Sequence, residues 1–141
     1  MNYSSNGFQL DHRLENDSFF ICQLDLCQVR LINDAQFVWL LLVPMVNGMS
    51  DVIDLDDELQ QQLWRESSLL SRILRTEFVP DKLNVAAIGN VVSQLHVHHI
   101  CRFKNDIAWP APVWGRQAMV AYEQAVREGL IDTIKRRVTA R

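Results

Sequence analysis

The chain has 141 residues, 48% of them hydrophobic and 22% charged, a balance that excludes a disordered chain and suits one globular domain with its own core. Its net charge of −3 argues against nucleic acid as a partner, because a phosphate backbone asks for a basic surface. Three cysteines, Cys22, Cys27 and Cys101, form an odd set without metal-type spacing, as expected of reduced thiols in a cytoplasmic protein. The polar N-terminus shows no signal-peptide pattern. The longest apolar run, residues 37–46, is interrupted by Pro44 and falls short of a membrane span. The expectation is a soluble cytoplasmic protein with neither nucleic acid nor membrane as a partner.

Residues 1–17 are polar and read as irregular or partly helical. Residues 18–23 hold Phe19, Phe20 and Ile21 and predict a strand. Residues 27–32 alternate Cys27, Val29 and Leu31 against Gln28, Arg30 and Ile32, the two-residue period of a second strand. Asn33-Asp34-Ala35-Gln36 supplies turn chemistry. The apolar residues 37–43 predict a central strand, which Pro44 ends.

Asp54 reads as the N-cap of a helix, with Asp56, Asp57 and Glu58 in the first turn, where the helix dipole favours acid. Leu59, Leu63, Leu70 and Leu74, with Trp64 and Ile73 beside them, recur at helical spacing to about Glu77 and mark a core-facing stripe. After the turn Val79-Pro80-Asp81-Lys82, residues 83–89 and 94–103 predict two further strands joined by a short connection. A proline-braced segment, Trp109-Pro110-Ala111-Pro112-Val113-Trp114-Gly115, leads to a last helix from about Arg116. That helix carries Met119, Tyr122, Val126, Leu130 and Ile134 on one face, with Gly129 as a weak point. The basic cluster Lys135-Arg136-Arg137 with Arg141 fits a solvated helix end that complements the dipole. Hairpin-length connections between most strands predict an α+β fold, an antiparallel sheet with helices packed on it.

The most informative segment is Gln94-Leu95-His96-Val97-His98-His99-Ile100-Cys101-Arg102, which holds three of the four histidines. On a strand, Gln94, His96 and His98 share one face, and Leu95, Val97 and His99 share the other. Two imidazoles on one face admit three readings: neighbours that satisfy each other, a metal pair, or catalytic groups. A metal asks for a third ligand, and the remaining candidates are His12, scattered carboxylates and Cys101 on the opposite face. In the catalytic reading an uncharged imidazole attacks phosphorus, its Nδ1 proton held by a nearby carbonyl, while a second histidine gives a proton to the leaving group. His99 faces the core and is read as structural.

Gln94-x-His96-x-His98 followed by Arg102 resembles the signature strand of the histidine triad (HIT) superfamily. The likeness extends through Leu31-Ile32-Asn33-Asp34, the strand ending in Val43-Pro44, the intervening helix and Leu83-Asn84-Val85-Ala86-Ala87, covering roughly residues 8–115. The Trp109–Gly115 stretch is similar to a bacterial branch of HIT-like hydrolases. The resemblance implies a single HIT-like domain over 1–141: a core at about 8–115, then a C-terminal helix at about 116–139. It implies a five-stranded antiparallel sheet with two main helices, commonly paired into a homodimer.

It further implies His96 as nucleophile and His98 as the group contacting the phosphate and the leaving group. Gln94 departs from the family, which has histidine at that position, but keeps the main-chain carbonyl that orients the nucleophile. By the same resemblance Asn33 contacts a ribose, or else simply begins a hairpin, and Asn90 and Ser93 lie where relatives bind phosphate. Arg102 has two readings, an attractor for an anionic substrate or a partner for a carboxylate. Trp109 and Trp114 either shape a nucleotide pocket or pack over the sheet edge, and packing is the preferred reading.

The function so implied is hydrolysis or nucleotidyl transfer at the α-phosphate of a nucleotide ester, anhydride or phosphoramidate. No cofactor is required, and Mg²⁺ enters only with a polyphosphate substrate. The alternatives are a non-catalytic nucleotide-binding module and a His-ligated metal protein.

Overall fold

The computed structural model describes residues 7–141, so the first six residues of the polar N-terminal stretch lie outside the described part. A short helix α1 (His12–Asp17) leads directly into β1 (Ser18–Gln23). β2 (Cys27–Ile32) and β3 (Trp39–Pro44) follow. Then come the long helix α2 (Asp57–Phe78), β4 (Lys82–Ala86), β5 (Val97–Arg102) and a terminal helix α3 (Gln124–Thr139). The strands form one antiparallel sheet in the order β1-β2-β3-β5-β4. The predicted α+β architecture with a five-stranded antiparallel sheet is therefore the observed one.

Strand periodicity sends alternate side chains to two different cores. On one face Val29, Leu31, Leu40, Leu42, Val97 and Cys101 pack under Leu63, Leu70 and Leu74 of α2 and Ile134 and Val138 of α3. On the other, Ile32, Trp39, Leu41, Val43 and Ile100 are covered by Leu14 of α1 and by Ala108 and Val113 of the proline-braced segment. β3 and β5 are buried along their whole length, which is why residues 37–43 carry no alternation of polarity. Glu66, buried on α2, accepts from the Leu26 and Cys27 amides at 2.9 Å each and ties the helix to the β1–β2 hairpin.

Several expected boundaries move, each for a local reason. The N-cap of α2 is Asp56, whose carboxylate accepts from the Leu59 amide at 2.9 Å. Asp54 instead closes a preceding 3-10 turn (Val52–Asp54), accepting from Ser50 and Asp51. β4 stops at Ala86 rather than Gly89, because Gly89, at φ +66°, turns the connection across the sheet face. The last helix starts at Gln124, not Arg116. Residues 118–122 are bound edgewise to the turn after β2. The Ala35 amide donates to the Val120 carbonyl, and the Asp34 and Asn33 side chains accept from the Val120 and Tyr122 amides. Backbone engaged in that way is not free to wind into a helix. Met119 and Val126 are consequently exposed, whereas Ile134 and Val138 are buried. Gly129 sits inside α3 without interrupting it.

Val79 closes α2 in the left-handed region at φ 49°, with its side chain 75% exposed. A β-branched residue is strained there and glycine is not. Val79→Gly is expected to stabilise the protein by about 1 kcal/mol, seen as a higher denaturant midpoint at unchanged m-value. A midpoint that stays put or falls would contradict this reading of the helix end.

Candidate active site

β5 lies between β3 and β4, with His98 opposite Leu41 on one side and Ala86 on the other. His96 falls just before the strand. Its ring sits 4.9 Å from that of His98, centroid to centroid, at an interplanar angle of 68°. Both line a cavity of about 550 Å³. The cavity opens between α1, the 88–92 connection and Trp114, and its walls include Leu14, Ile32, Leu41 and Ile88. An apolar pocket with a few convergent polar groups is the ordinary form of a small-molecule site.

Protonation of the two histidines follows from their partners. His96 Nδ1 lies 2.7 Å from the main-chain carbonyl of Gln94. A carbonyl only accepts, so Nδ1 carries a proton and the neutral ring keeps its lone pair on Nε2. His98 is set the opposite way. The Trp39 indole donates its Nε1 proton to His98 Nδ1 at 2.9 Å, and an indole nitrogen only donates. Nδ1 is therefore the acceptor, and the ring's one proton is on Nε2. Burial, followed by the neighbouring His96 and His99, lowers the His98 pKa to about 3. The ring is thus neutral near pH 7. The pair offers one nucleophilic lone pair and one hydrogen-bond donor.

His99, fully buried on the opposite face, donates from Nδ1 to the Val97 carbonyl at 3.2 Å and accepts on Nε2 from the Ser67 hydroxyl at 2.7 Å. It joins β5 to α2 behind the site, in keeping with its structural reading.

The remaining expected residues separate. Asn90 lines the histidine cavity. Ser93 lines a neighbouring polar depression with Asp11, His12 and Gln94 instead. The Gln94 side chain also turns away from the imidazoles: its Oε1 accepts from the Asp11 amide at 2.8 Å and its Nε2 donates to the Gln9 carbonyl at 2.9 Å. A terminal amide carries acceptor and donor side by side and so clips a passing backbone, which an imidazole with its nitrogens facing apart does not do. Asn33 accepts from the Tyr122 amide at 2.9 Å and is absent from the cavity wall.

Arg102 is 2% exposed. It binds Asp106 at 2.8 Å, Asn84 at 2.9 Å and the Ala111 carbonyl at 2.8 Å, and stacks near Phe37 and Trp109. Of its two readings, the carboxylate partner is the one realised, and its guanidinium does not reach the cavity. Through Asp106, which also accepts from the amides of Phe103, Ala108 and Trp109, it braces the segment that brings Trp114 to 5.0 Å from the His98 ring. The Trp109–Pro110 peptide in that segment is cis. Trp114 is a cavity wall as well as packing.

Trp39 and Asp17 are among the lining residues that strand reasoning left out. Trp39 looks like any apolar residue of a central strand. Its reach to His98 exists only because β3 pairs with β5 and places the two residues on a diagonal. Among the described residues, no group of three or more His, Cys, Asp or Glu side chains is placed to share a metal ion. Nor is any helix long and apolar enough to cross a membrane.

Comparison with known proteins agrees with this fold. The HIT domain family model matches residues 13–105. A histidine triad protein from Bradyrhizobium japonicum is 43% identical with a TM-score of 0.91, covering 93% of this chain and 98% of its own. One from Marinobacter aquaeolei VT8 is 42% identical with a TM-score of 0.91, covering 94% and 97% respectively. A third, from Sinorhizobium meliloti 1021, is 36% identical with a TM-score of 0.92 and covers 95% and 99%. A search of functionally curated proteins returns no match.

The Asp106 carboxyl would be raised by burial, but the Arg102 hydrogen bond and the three amide donors outweigh burial and bring it down to about 2 from 3.8. A depressed folded-state value means the stabilisation is complete above about pH 4 and is lost as pH falls towards 2. Thermal melts of wild type and Asp106→Asn should therefore diverge above pH 4 and converge below it. Parallel curves would rule out this carboxylate as the source of acid sensitivity.

Proposed function

The chain belongs to the histidine triad (HIT) family, whose members are nucleotide-binding proteins and hydrolases, and on that premise we propose that it hydrolyses or transfers a nucleotidyl group by covalent catalysis at His96. The observation that carries the proposal is the 2.7 Å contact between His96 Nδ1 and the Gln94 carbonyl, which leaves Nε2 as an unprotonated nucleophile at the wall of a cavity of nucleotide size.

In the first step the Nε2 lone pair forms a bond to the α-phosphorus while the bond from phosphorus to the leaving group breaks. The proton stays on Nδ1, donated to the Gln94 carbonyl, which helps the ring carry the positive charge that develops. His98 Nε2–H donates to a non-bridging phosphoryl oxygen, whose negative charge grows in the transition state. In the second step water or another acceptor attacks phosphorus. The phosphorus–nitrogen bond breaks, its electron pair returns to His96 Nε2, and the acceptor's proton leaves to solvent. The apolar walls contributed by Leu14, Ile32 and Leu41 accept a planar base. Asn90 is a polar group of the lining, with Asp17. Asn33, bound to Tyr122, is not assigned a part in binding.

Nothing in these steps asks for a bound metal; Mg²⁺ would arrive as the counter-ion of a polyphosphate substrate. A homodimer is part of the same reading. β4 leaves one long side of the sheet unpaired, with Val85 41% exposed, and such an edge is a template for a second copy.

His96→Ala should fold normally and lose essentially all turnover of a nucleotidyl anhydride, while wild type quenched in acid-free conditions during turnover should carry a nucleotidyl group on His96. Full activity in the variant would remove the nucleophile. Binding without turnover by wild type would favour a nucleotide-binding module, the reading that the Gln94 departure keeps in view.

A further inference from the structure

We propose that Trp39 is a positioning residue that keeps His98 as a neutral Nε2–H donor throughout turnover, so that the site acts on nucleotidyl substrates whose leaving group departs as a stable anion. These are phosphates, carboxylates and acidic phenols. Substrates that must expel an alkoxide or a free alkyl amine are excluded. The inference rests on the covalent reading above and narrows its substrate class.

The argument begins with hydrogen-bond polarity. A second proton on His98 would have to occupy Nδ1, where the Trp39 indole proton already points at 2.9 Å. Two donors facing each other repel, and neither side can reverse its role, since an indole has no acceptor nitrogen. Trp39 has little room to withdraw. It is 3% exposed and is held edge-on by Phe37 at 6.3 Å and by Trp114 at 5.8 Å. Trp114 also stands at 80° to the His98 ring, 5.0 Å away. The low basicity that burial imposes on His98 acts in the same direction.

A neutral imidazole that gives up its only proton becomes an imidazolate, a far stronger base than a departing phosphate. His98 therefore lends its N–H to phosphoryl oxygen without transferring it. Among the described residues, no other histidine and no cysteine, lysine or tyrosine lines the cavity. When the bond to phosphorus breaks, the leaving group takes the electron pair and leaves unprotonated. The new phosphorus–nitrogen bond is to His96 Nε2, and the Nδ1 proton of that ring stays where it was.

Two measurements decide the matter. The first uses ¹⁵N NMR of the ligand-free protein at neutral pH. His98 should show an unprotonated Nδ1 and a protonated Nε2, with a through-bond coupling between Trp39 Nε1 and His98 Nδ1. A protonated Nδ1 would overturn the proposal whether or not any substrate is turned over.

The second is kcat/KM across a series of nucleotidyl substrates that differ only in leaving-group basicity. Wild type should fall steeply along the series. Its worst members should lag by at least the roughly 10²–10⁴-fold that an acid catalyst contributes. Trp39→Phe keeps an aromatic ring, frees Nδ1, and should flatten the slope by rescuing poor leaving groups relative to good ones. A flat wild-type slope overturns the proposal. So does a slope governed by Asp17→Asn instead, which would make that cavity carboxyl the acid. If wild type shows the predicted tautomer yet turns over nothing, the Trp39–His98 assignment stands and the covalent reading is what fails.

Discussion

A carbonyl oxygen accepts hydrogen bonds and never donates them, and that constraint at Gln94 sets the chemistry of the rest of the site. Because the carbonyl meets His96 Nδ1 at 2.7 Å, the ring has one permitted neutral tautomer, and its lone pair faces the cavity. The backbone around it is anchored on its own account, the Leu95 amide donating to the Met49 carbonyl at 2.9 Å. The His96 ring is thus oriented by main chain. This explains how the side chain at position 94 is free to do something else, namely hold residues 9–11 against the domain.

The same logic separates three histidines that look alike along the chain. His96 is governed by a carbonyl, His98 by an indole and His99 by a carbonyl together with a serine hydroxyl. Each partner has a fixed polarity or is fixed by the others, so three copies of one side chain become a ring with a free Nε2 lone pair, a donor and a buried brace. Burial reinforces the assignment. It lowers the basicity of His98 to about 3 and that of His99 to about 4, where the Val97 carbonyl opposes it only in part. Near pH 7 neither ring brings a positive charge into the sheet.

Support for the site comes from an ion pair that never touches it. Arg102 shares the sheet face of His98, yet its guanidinium is consumed by Asp106, Asn84 and the Ala111 carbonyl. A buried cation left unpaired would be costly; paired, it gives the proline-braced segment a rigid base. Trp114 at the end of that segment then closes one wall of the cavity and packs against both Trp39 and His98. The turn after β2 is sealed by residues 118–122 through Asn33 and Asp34, so its polar side chains serve the fold.

Much of this was legible along the chain, because it depends on local periodicity. β1, β2, the stripe of α2 and the division of His98 from His99 between two faces follow from spacings of two and of about 3.6 residues, which a strand or helix must obey wherever it packs. The resemblance carried by Gln94-x-His96-x-His98 rests on the same two-residue spacing. What the spacing did not contain was partner choice. Arg102 was equally suited to an anion or a carboxylate, Asn33 to a ribose or a peptide amide, and residues 116–123 to a helix until the turn after β2 claimed their backbone. Trp39 lies far from His98 in sequence and meets it only because β5 inserts beside β3. Sequence by itself determined which residues share a face; tertiary structure alone decided which donor meets which acceptor, because a hydrogen bond has direction and its partner comes from another part of the chain.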